Sequence, residues 1–248
     1  MLGWIVIGFM VSLVMGWTGA GGGMVSLSLF LIFFDFSIQK STVLSLLAIA
    51  TSTSLHWVLF RKQAAYRLGL GLVFFSIFGS YAGVWLKANL SAIVQQGTIF
   101  AVLIFSAYLF WIKESNNSAN QAVPVISRFK ILACGLALGM FSTFTGFSGG
   151  IILMPLFLGL GLHINSALAT SHFTACLASL ASLLIQAEVW TDYRHFSVIS
   201  PLIIGALFGV LFLQSLKRLI HPKQYSRLRR ILFTIVVLTA ATSILGNG

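Results

Sequence analysis

Two short stretches of this 248-residue chain combine glycines with hydroxyl side chains: Thr18-Gly-Ala-Gly-Gly-Gly23 and Thr145-Gly-Phe-Ser-Gly-Gly150. Gly19, Gly21, Gly22 and Gly23 in the first, and Gly146, Gly149 and Gly150 in the second, let the backbone turn sharply. They also leave no side chain to hold a ligand away from the amides. Apolar segments begin just after, near Met24 and Ile151, and helices there aim their N-terminal amides and positive dipole ends back at the turns. Thr18, Thr145 and Ser148 add hydroxyl donors. This is chemistry for holding a small anion.

Two polar stretches also interrupt long apolar runs: Ala50-Thr-Ser-Thr-Ser-Leu-His56 and Ala169-Thr-Ser-His-Phe-Thr174. From them Thr51, Ser52, Thr170 and Ser171 offer hydroxyls toward the turns, although helical Ser and Thr commonly bond to their own carbonyls. His56 and His172 carry more weight, because ionisable groups in an apolar interior are rare and usually functional.

Other chemistries find little support. Ser142 and Ser148 have no Asp/His arrangement at a recognisable spacing, and neither an HExxH nor a P-loop occurs, so no catalysis and no cofactor are expected. The four acids, Asp35, Glu114, Glu188 and Asp192, fall at expected segment ends or loops. That argues against a divalent-cation or sodium carrier built on carboxylates, and against a carboxylate proton relay. If protons accompany transport, a histidine such as His172 carries them; otherwise the anion runs down the membrane potential, which favours its exit. Cys134 and Cys176 lie in apolar stretches without CxxC spacing and read as buried small residues, with no metal site.

The elements that position these residues follow from composition. The chain is 58% hydrophobic and only 8% charged, with a mean hydropathy of +0.99, against about 25% charged residues in soluble domains. Apolar runs of roughly 20 residues recur along it, so the bilayer is its solvent. The formal charge of +11 and pI near 10.3 do not indicate nucleic acid, because the basic residues sit in short loops, among them Arg61, Lys62, Arg67 and the cluster Lys217 to Arg230. Such loops are where cytoplasmic positive charge sets orientation. Trp4, Trp17, Trp57, Trp85, Trp111 and Trp190 mostly fall near segment ends, as interfacial anchors do. Residues 1–16 contain no Lys or Arg, so the first segment is expected to stay rather than be cleaved as a signal peptide.

The two glycine motifs are the start of an internal repeat. With one-residue slips the register continues through Ser37-Ile-Gln-Lys-Ser41 against His163-Ile-Asn-Ser-Ala167, and Tyr66-Arg67 against Tyr193-Arg194. Gly79, Gly83 and Val84 likewise match Gly205, Gly209 and Val210. Helical segments are expected at about 2–17, 24–34, 41–60, 68–88 and 94–112, then at 129–144, 151–162, 166–187, 197–216 and 228–246. The expected organisation is an N-terminal repeat (1–113), a polar cytoplasmic linker (114–127) and a C-terminal repeat (128–248). If the pair 129–144 and 151–162 crossed the membrane once, the basic loop at 217–230 would lie outside, against the positive-inside rule. A hairpin that returns to its own side removes the conflict. The predicted fold is therefore an all-α integral membrane protein with two inverted repeats of five helical segments each, a broken-helix hairpin plus three spans. Helices of roughly 16 and 11 residues reach only about 24 and 16 Å, so the glycine turns should lie at membrane depth. Irregular backbone is tolerated there only if buried in protein or lining a wet cavity.

With its repeated Thr-Gly-x-Gly/Ser-Gly-Gly turn, a following apolar helix bearing Pro155, and His163-Ile-Asn-Ser-Ala-Leu-Ala-Thr-Ser171, the chain resembles the TauE/SafE sulfite exporter family over nearly its whole length. The resemblance implies a multi-pass bacterial inner-membrane carrier of sulfur-containing anions, sulfite and organosulfonates among them, with two homologous halves. By position it assigns a role to Thr18–Gly23, Thr145–Gly150 and Ala169-Thr-Ser171. The first half departs from the pattern, with Ser28 where the second has Pro155, and Lys40-Ser41 where the second has Ser166-Ala167. The leading expectation is a secondary transporter exporting a small oxyanion, with no nucleic acid among its partners. An anion channel with the turns as a fixed constriction, or a non-transporting membrane scaffold, are the alternatives. Association of copies into a homo-oligomer is compatible with this reading.

Overall fold

The computed structural model describes residues 1–19, 22–34, 36–91, 127–145, 150–186 and 196–219, with single positions between 94 and 108 and between 224 and 242. Among these residues the secondary structure is helical, with no strand. The helices are α1 (Leu2–Thr18), α2 (Gly22–Phe34), α3 (Ile38–Phe60), α4 (Tyr66–Asn89), α5 (Arg128–Thr145), α6 (Gly150–Gly159), α7 (Ile164–Ile185) and α8 (Phe196–Leu219), with a 3₁₀ turn at Arg61–Gln63. The fifth segment expected in each half, and the linker apart from Ser127, fall largely or wholly outside the described residues.

Local chemistry sets the ends. Ser37 starts α3 by accepting the Lys40 N–H at 3.4 Å, and His163 starts α7 by accepting the Asn165 N–H on Nδ1 at 3.4 Å. α1 stops where Gly19 turns left-handed (φ 68°) and its N–H bonds the Met15 carbonyl at 2.8 Å. α6 stops near Gly161 (φ 86°), after which the Leu162 N–H bonds the Phe157 carbonyl at 3.0 Å. Pro155 and Pro201 sit inside α6 and α8, as membrane helices allow.

Four stretches are long and apolar enough to cross a membrane: Lys40–Gln63, Tyr66–Leu86, Ile164–Ile185 and Val198–Leu216. The hairpin helices are shorter. The 17 residues of α1, 13 of α2 and 10 of α6 measure about 26, 20 and 15 Å, against a hydrocarbon core of about 30 Å.

α2 folds back antiparallel on α1, with Gly22 against Met15, Trp4 against Phe30 and Phe34 (ring centroids 5.5 and 5.3 Å), and Gly3 against Phe34. The end of α2 thus returns to the level at which α1 begins. α1 runs parallel along α8: Gly8 meets the Leu202 carbonyl, Gly205 the Ile5 carbonyl, and Gly209 the Phe9 carbonyl. α4 runs parallel along α5 in the same manner, with Gly79 on the Leu136 carbonyl, Gly83 on Met140 and Thr143, Gly135 on Leu72 and Gly139 on the Ser76 carbonyl. A Cβ at any of these positions would collide with backbone, which is why only glycine allows the approach. Through the centre pass α3 and α7, side by side and antiparallel, with Trp57 on Phe173, His56 on His172, and the Ala65 N–H on the Thr170 hydroxyl. Their buried surfaces carry many hydroxyls, whereas α4 and α8 turn Phe74, Phe78, Trp85, Phe208 and Leu211 outward. An apolar exterior around a polar axis is the arrangement a bilayer demands.

Candidate functional site

The first glycine turn is held by its own helices. The Thr18 hydroxyl donates to the Val14 carbonyl at 2.7 Å, so it caps α1 internally. The Gly22 N–H points at the Met15 sulfur at 3.2 Å. The Gly23 carbonyl takes hydroxyls from Ser26 (3.1 Å) and Ser45 (3.0 Å), which themselves lie 2.6 Å apart and tie the start of α2 to α3. Gly19 faces the second hairpin: a Cβ there would lie 2.6 Å from Leu168 Cδ1 and 3.3 Å from Met154 Sδ of α6. Thr145 ends α5 and Gly150 opens α6, while Gly21, Gly146, Ser148 and Gly149 lie outside the described residues.

The residues brought together most tightly are the two histidines. His56 of α3 and His172 of α7 are both buried, and their rings stack at 4.9 Å with 22° between planes. Phe60 stacks on His172 at 6.0 Å and 20°. His56 Nε2 lies 2.8 Å from the Ser12 carbonyl and 3.2 Å from the Ser12 hydroxyl, whose own proton goes to the Ala206 carbonyl at 2.9 Å. A carbonyl oxygen only accepts, so Nε2 must carry a hydrogen, and Nδ1 holds the lone pair of the neutral ring. Gly16 makes this possible, since a Cβ there would run into His56 and Leu213. Two imidazolium charges about 5 Å apart at an effective dielectric near 20 repel by about 3 kcal/mol, so double protonation of the stack is disfavoured.

The remaining hydroxyls divide into two groups. Thr51 donates to the Ala48 carbonyl at 2.9 Å, and Thr170 donates to the Ser166 carbonyl at 2.6 Å while accepting the Ala65 N–H at 2.9 Å. Thr170 thereby pins the corner between α3 and α4. Ser52, Ser171, Thr174 and Ser179 have buried hydroxyls with no hydrogen-bond partner among the described residues. A buried, unsatisfied hydroxyl is unfavourable unless something supplies the missing bond, and these four stand on α3 and α7. At the far end of α7, Ser182 lies 3.2 Å from Ser142 and 3.5 Å from Ser80, joining α7 to α5 and α4. Among the described residues, no three His, Cys, Asp or Glu side chains gather as metal ligands would.

Sequence reasoning missed Ser12, Gly16, Ser26, Ser45 and Ser179. A signal existed for Ser26 and Ser45, hydroxyls on otherwise apolar stretches flanking the first turn. None existed for Gly16, whose role depends wholly on where the His56 ring falls.

A helical chain with several bilayer-length apolar spans and a polar axis between them is a polytopic membrane protein. Residues 4–243 match the family described as Sulfite exporter TauE/SafE, and the chain belongs to that family. It is a family of membrane transporters rather than enzymes, and membership implies a small anionic substrate and a lipid surround. Neither a curated protein nor a solved structure matches the chain.

Proposed function

We propose that this protein exports a sulfur-containing oxyanion, sulfite or an organosulfonate, across the bacterial inner membrane by alternating access. The anion binds near the midplane, between the two glycine-rich hairpin turns and the hydroxyls of α3 and α7. The observation that carries this reading is the contact of Gly19, in the first turn, with Met154 of the second hairpin. It supports a shared centre for the two hairpins. The amides at the start of α2 and the hydroxyls of Ser52 and Ser171 supply neutral donors for oxygen atoms. Neutral donors suit a carrier, because a site that bound its anion with fixed charges would hold it too tightly to release.

The helix directions support an inverted repeat and, with it, the transport cycle. α3 and α7 run antiparallel, and the first helix of each half lies parallel to the fourth of the other. Those directions are the ones expected of two halves with opposite orientation. With the Arg61–Gln63 turn placed in the cytoplasm, Arg67, Arg128, Lys130 and Arg218 fall at the same level, which agrees with the positive-inside rule.

Flux of radiolabelled sulfite into proteoliposomes tests the proposal, with sulfonates, sulfate and carboxylates as competitors. Saturable uptake that sulfonates compete for, and that Gly22→Leu and Gly149→Leu both abolish, is expected. Folded wild-type protein that moves none of these anions would overturn it.

A further inference from the structure

The stacked histidines point past anion binding to a second ligand. We propose that His56 and His172 together bind a single proton, and that the singly protonated pair is the form that takes the anion. This rests on the reading of α3, α7 and the glycine turns as an oxyanion site.

The geometry supports each part. Both rings are buried, and the stack joins α3 of one half to α7 of the other. The Ser12 carbonyl fixes a hydrogen on His56 Nε2, so an added proton enters at Nδ1 of His56 or at the lone-pair nitrogen of His172. Parallel rings at 4.9 Å disfavour a second one. Phe60 covers His172 without offering a charge. The proton comes from water on the side to which the site is open and returns to water on the other; no other bond is made or broken.

On the helices α1–α8 the charged side chains lie at or near helix ends, and Arg229, beyond α8, is a further buried cation among the described residues. α1, α2 and α6 carry no titratable side chain. On α7 the nearest is Cys176, one turn beyond His172, whose thiol lies beside the Thr53 hydroxyl. On α3 the charged residues are Lys40 at its start and Arg61 and Lys62 just past its end, all exposed. α4 carries Tyr66, Arg67, Tyr81 and Lys87, α5 carries Arg128, Lys130 and Cys134, and α8 carries Lys217 and Arg218. Of these cations, Lys40 and Lys87 excepted, all sit at one level, so an anion approaching from there meets positive charge first and the histidine pair next. Inside, a neutral pair would leave the anion's charge uncompensated, whereas one imidazolium balances a monoanion and adds an N–H donor.

The test has two arms. In the first, ¹⁵N-histidine NMR follows the full-length protein in lipid nanodiscs from about pH 5 to about pH 8, with His56→Gln and His172→Gln to assign the rings. The expected result is uptake of one proton shared by the two rings. Conversion of both rings to imidazolium, or of neither, would overturn the proposal. The second arm measures flux of sulfite and of methanesulfonate, whose charge stays at one across this range. Methanesulfonate flux should fall roughly tenfold per pH unit above the midpoint of the shared titration, and His172→Gln should leave whatever flux remains flat with pH. Wild-type oxyanion flux that ignores pH would also sink the idea. Absence of all oxyanion flux from folded protein removes the transport reading instead, and the titration then decides the proton site by itself.

Discussion

Gly16 decides where the His56 ring can lie. A Cβ at Gly16 would run into His56 and Leu213, so any side chain there must push the imidazole away from Ser12 and out of its stack with His172. Overpacking of this kind costs about 1–3 kcal/mol, which is roughly five- to 150-fold in an equilibrium constant. Gly16→Ala is therefore expected to lower sulfite flux by about that factor while the protein still inserts, and Gly97→Ala, with nothing within 4 Å of its new methyl group, should leave flux unchanged. Ser12→Ala asks a different question. It removes the hydroxyl that bonds Ala206 but keeps the backbone carbonyl that holds Nε2–H, so the tautomer of His56 should survive in the ¹⁵N spectrum. Loss of the Nε2–H signal in that variant would show that the hydroxyl, not the carbonyl, fixes the ring. The two histidines were legible in the sequence because an ionisable group inside an apolar run stands out. Their stacking was not, since it depends on α3 and α7 pairing across about 116 residues of chain.

At the scale of elements, the same small-residue spacing holds both outer helix pairs together. Gly79 and Gly83 on α4 meet Leu136 and Met140 of α5, and Gly135 and Gly139 on α5 meet Leu72 and Ser76 of α4. In the other pair Gly205 and Gly209 on α8 meet Ile5 and Phe9 of α1, and Gly8 on α1 meets Leu202 of α8. Lipid tails are as apolar as leucine, so helix association here comes from close packing, and glycine permits the closest. Gly139→Ile would drive a branched side chain into the Ser76 carbonyl. A loss of about 1–3 kcal/mol is expected, read as a lower thermal midpoint in detergent, whereas Gly71→Ala, whose Cβ meets only the Ile131 methyl at 3.0 Å, should be near neutral. Equal midpoints for the two variants would mean that α4 and α5 are not held by this contact. The repeat alignment already paired Gly79 and Gly83 with Gly205 and Gly209, so the sequence marked these glycines as equivalent without revealing their partners. Helix limits were also largely readable, and the departures have causes. α3 begins at Ile38 rather than near 41 because Ser37 caps it, and α6 ends at Gly159 rather than near 162 because Gly161 turns left-handed.

For the whole molecule the question is whether the two halves face opposite ways. Hairpin α1–α2 begins and ends at one level, so Ser37 at the start of α3 lies at that level too. His163, at the start of α7, lies at the other level, because α7 runs antiparallel to α3. The Arg61–Gln63 turn shares the level of His163, with the Ala65 N–H bonded to Thr170 near the start of α7. Single cysteines at Ser37, Gln63 and His163, in a background with Cys134 and Cys176 replaced by serine, report these positions directly. A membrane-impermeant maleimide on intact cells should label Ser37→Cys and spare Gln63→Cys and His163→Cys, and inside-out vesicles should reverse the pattern. If Ser37→Cys and His163→Cys react from the same side, the halves share an orientation. The two glycine turns would then enter the membrane from one face, and a site that opens alternately to each side could not be built from them.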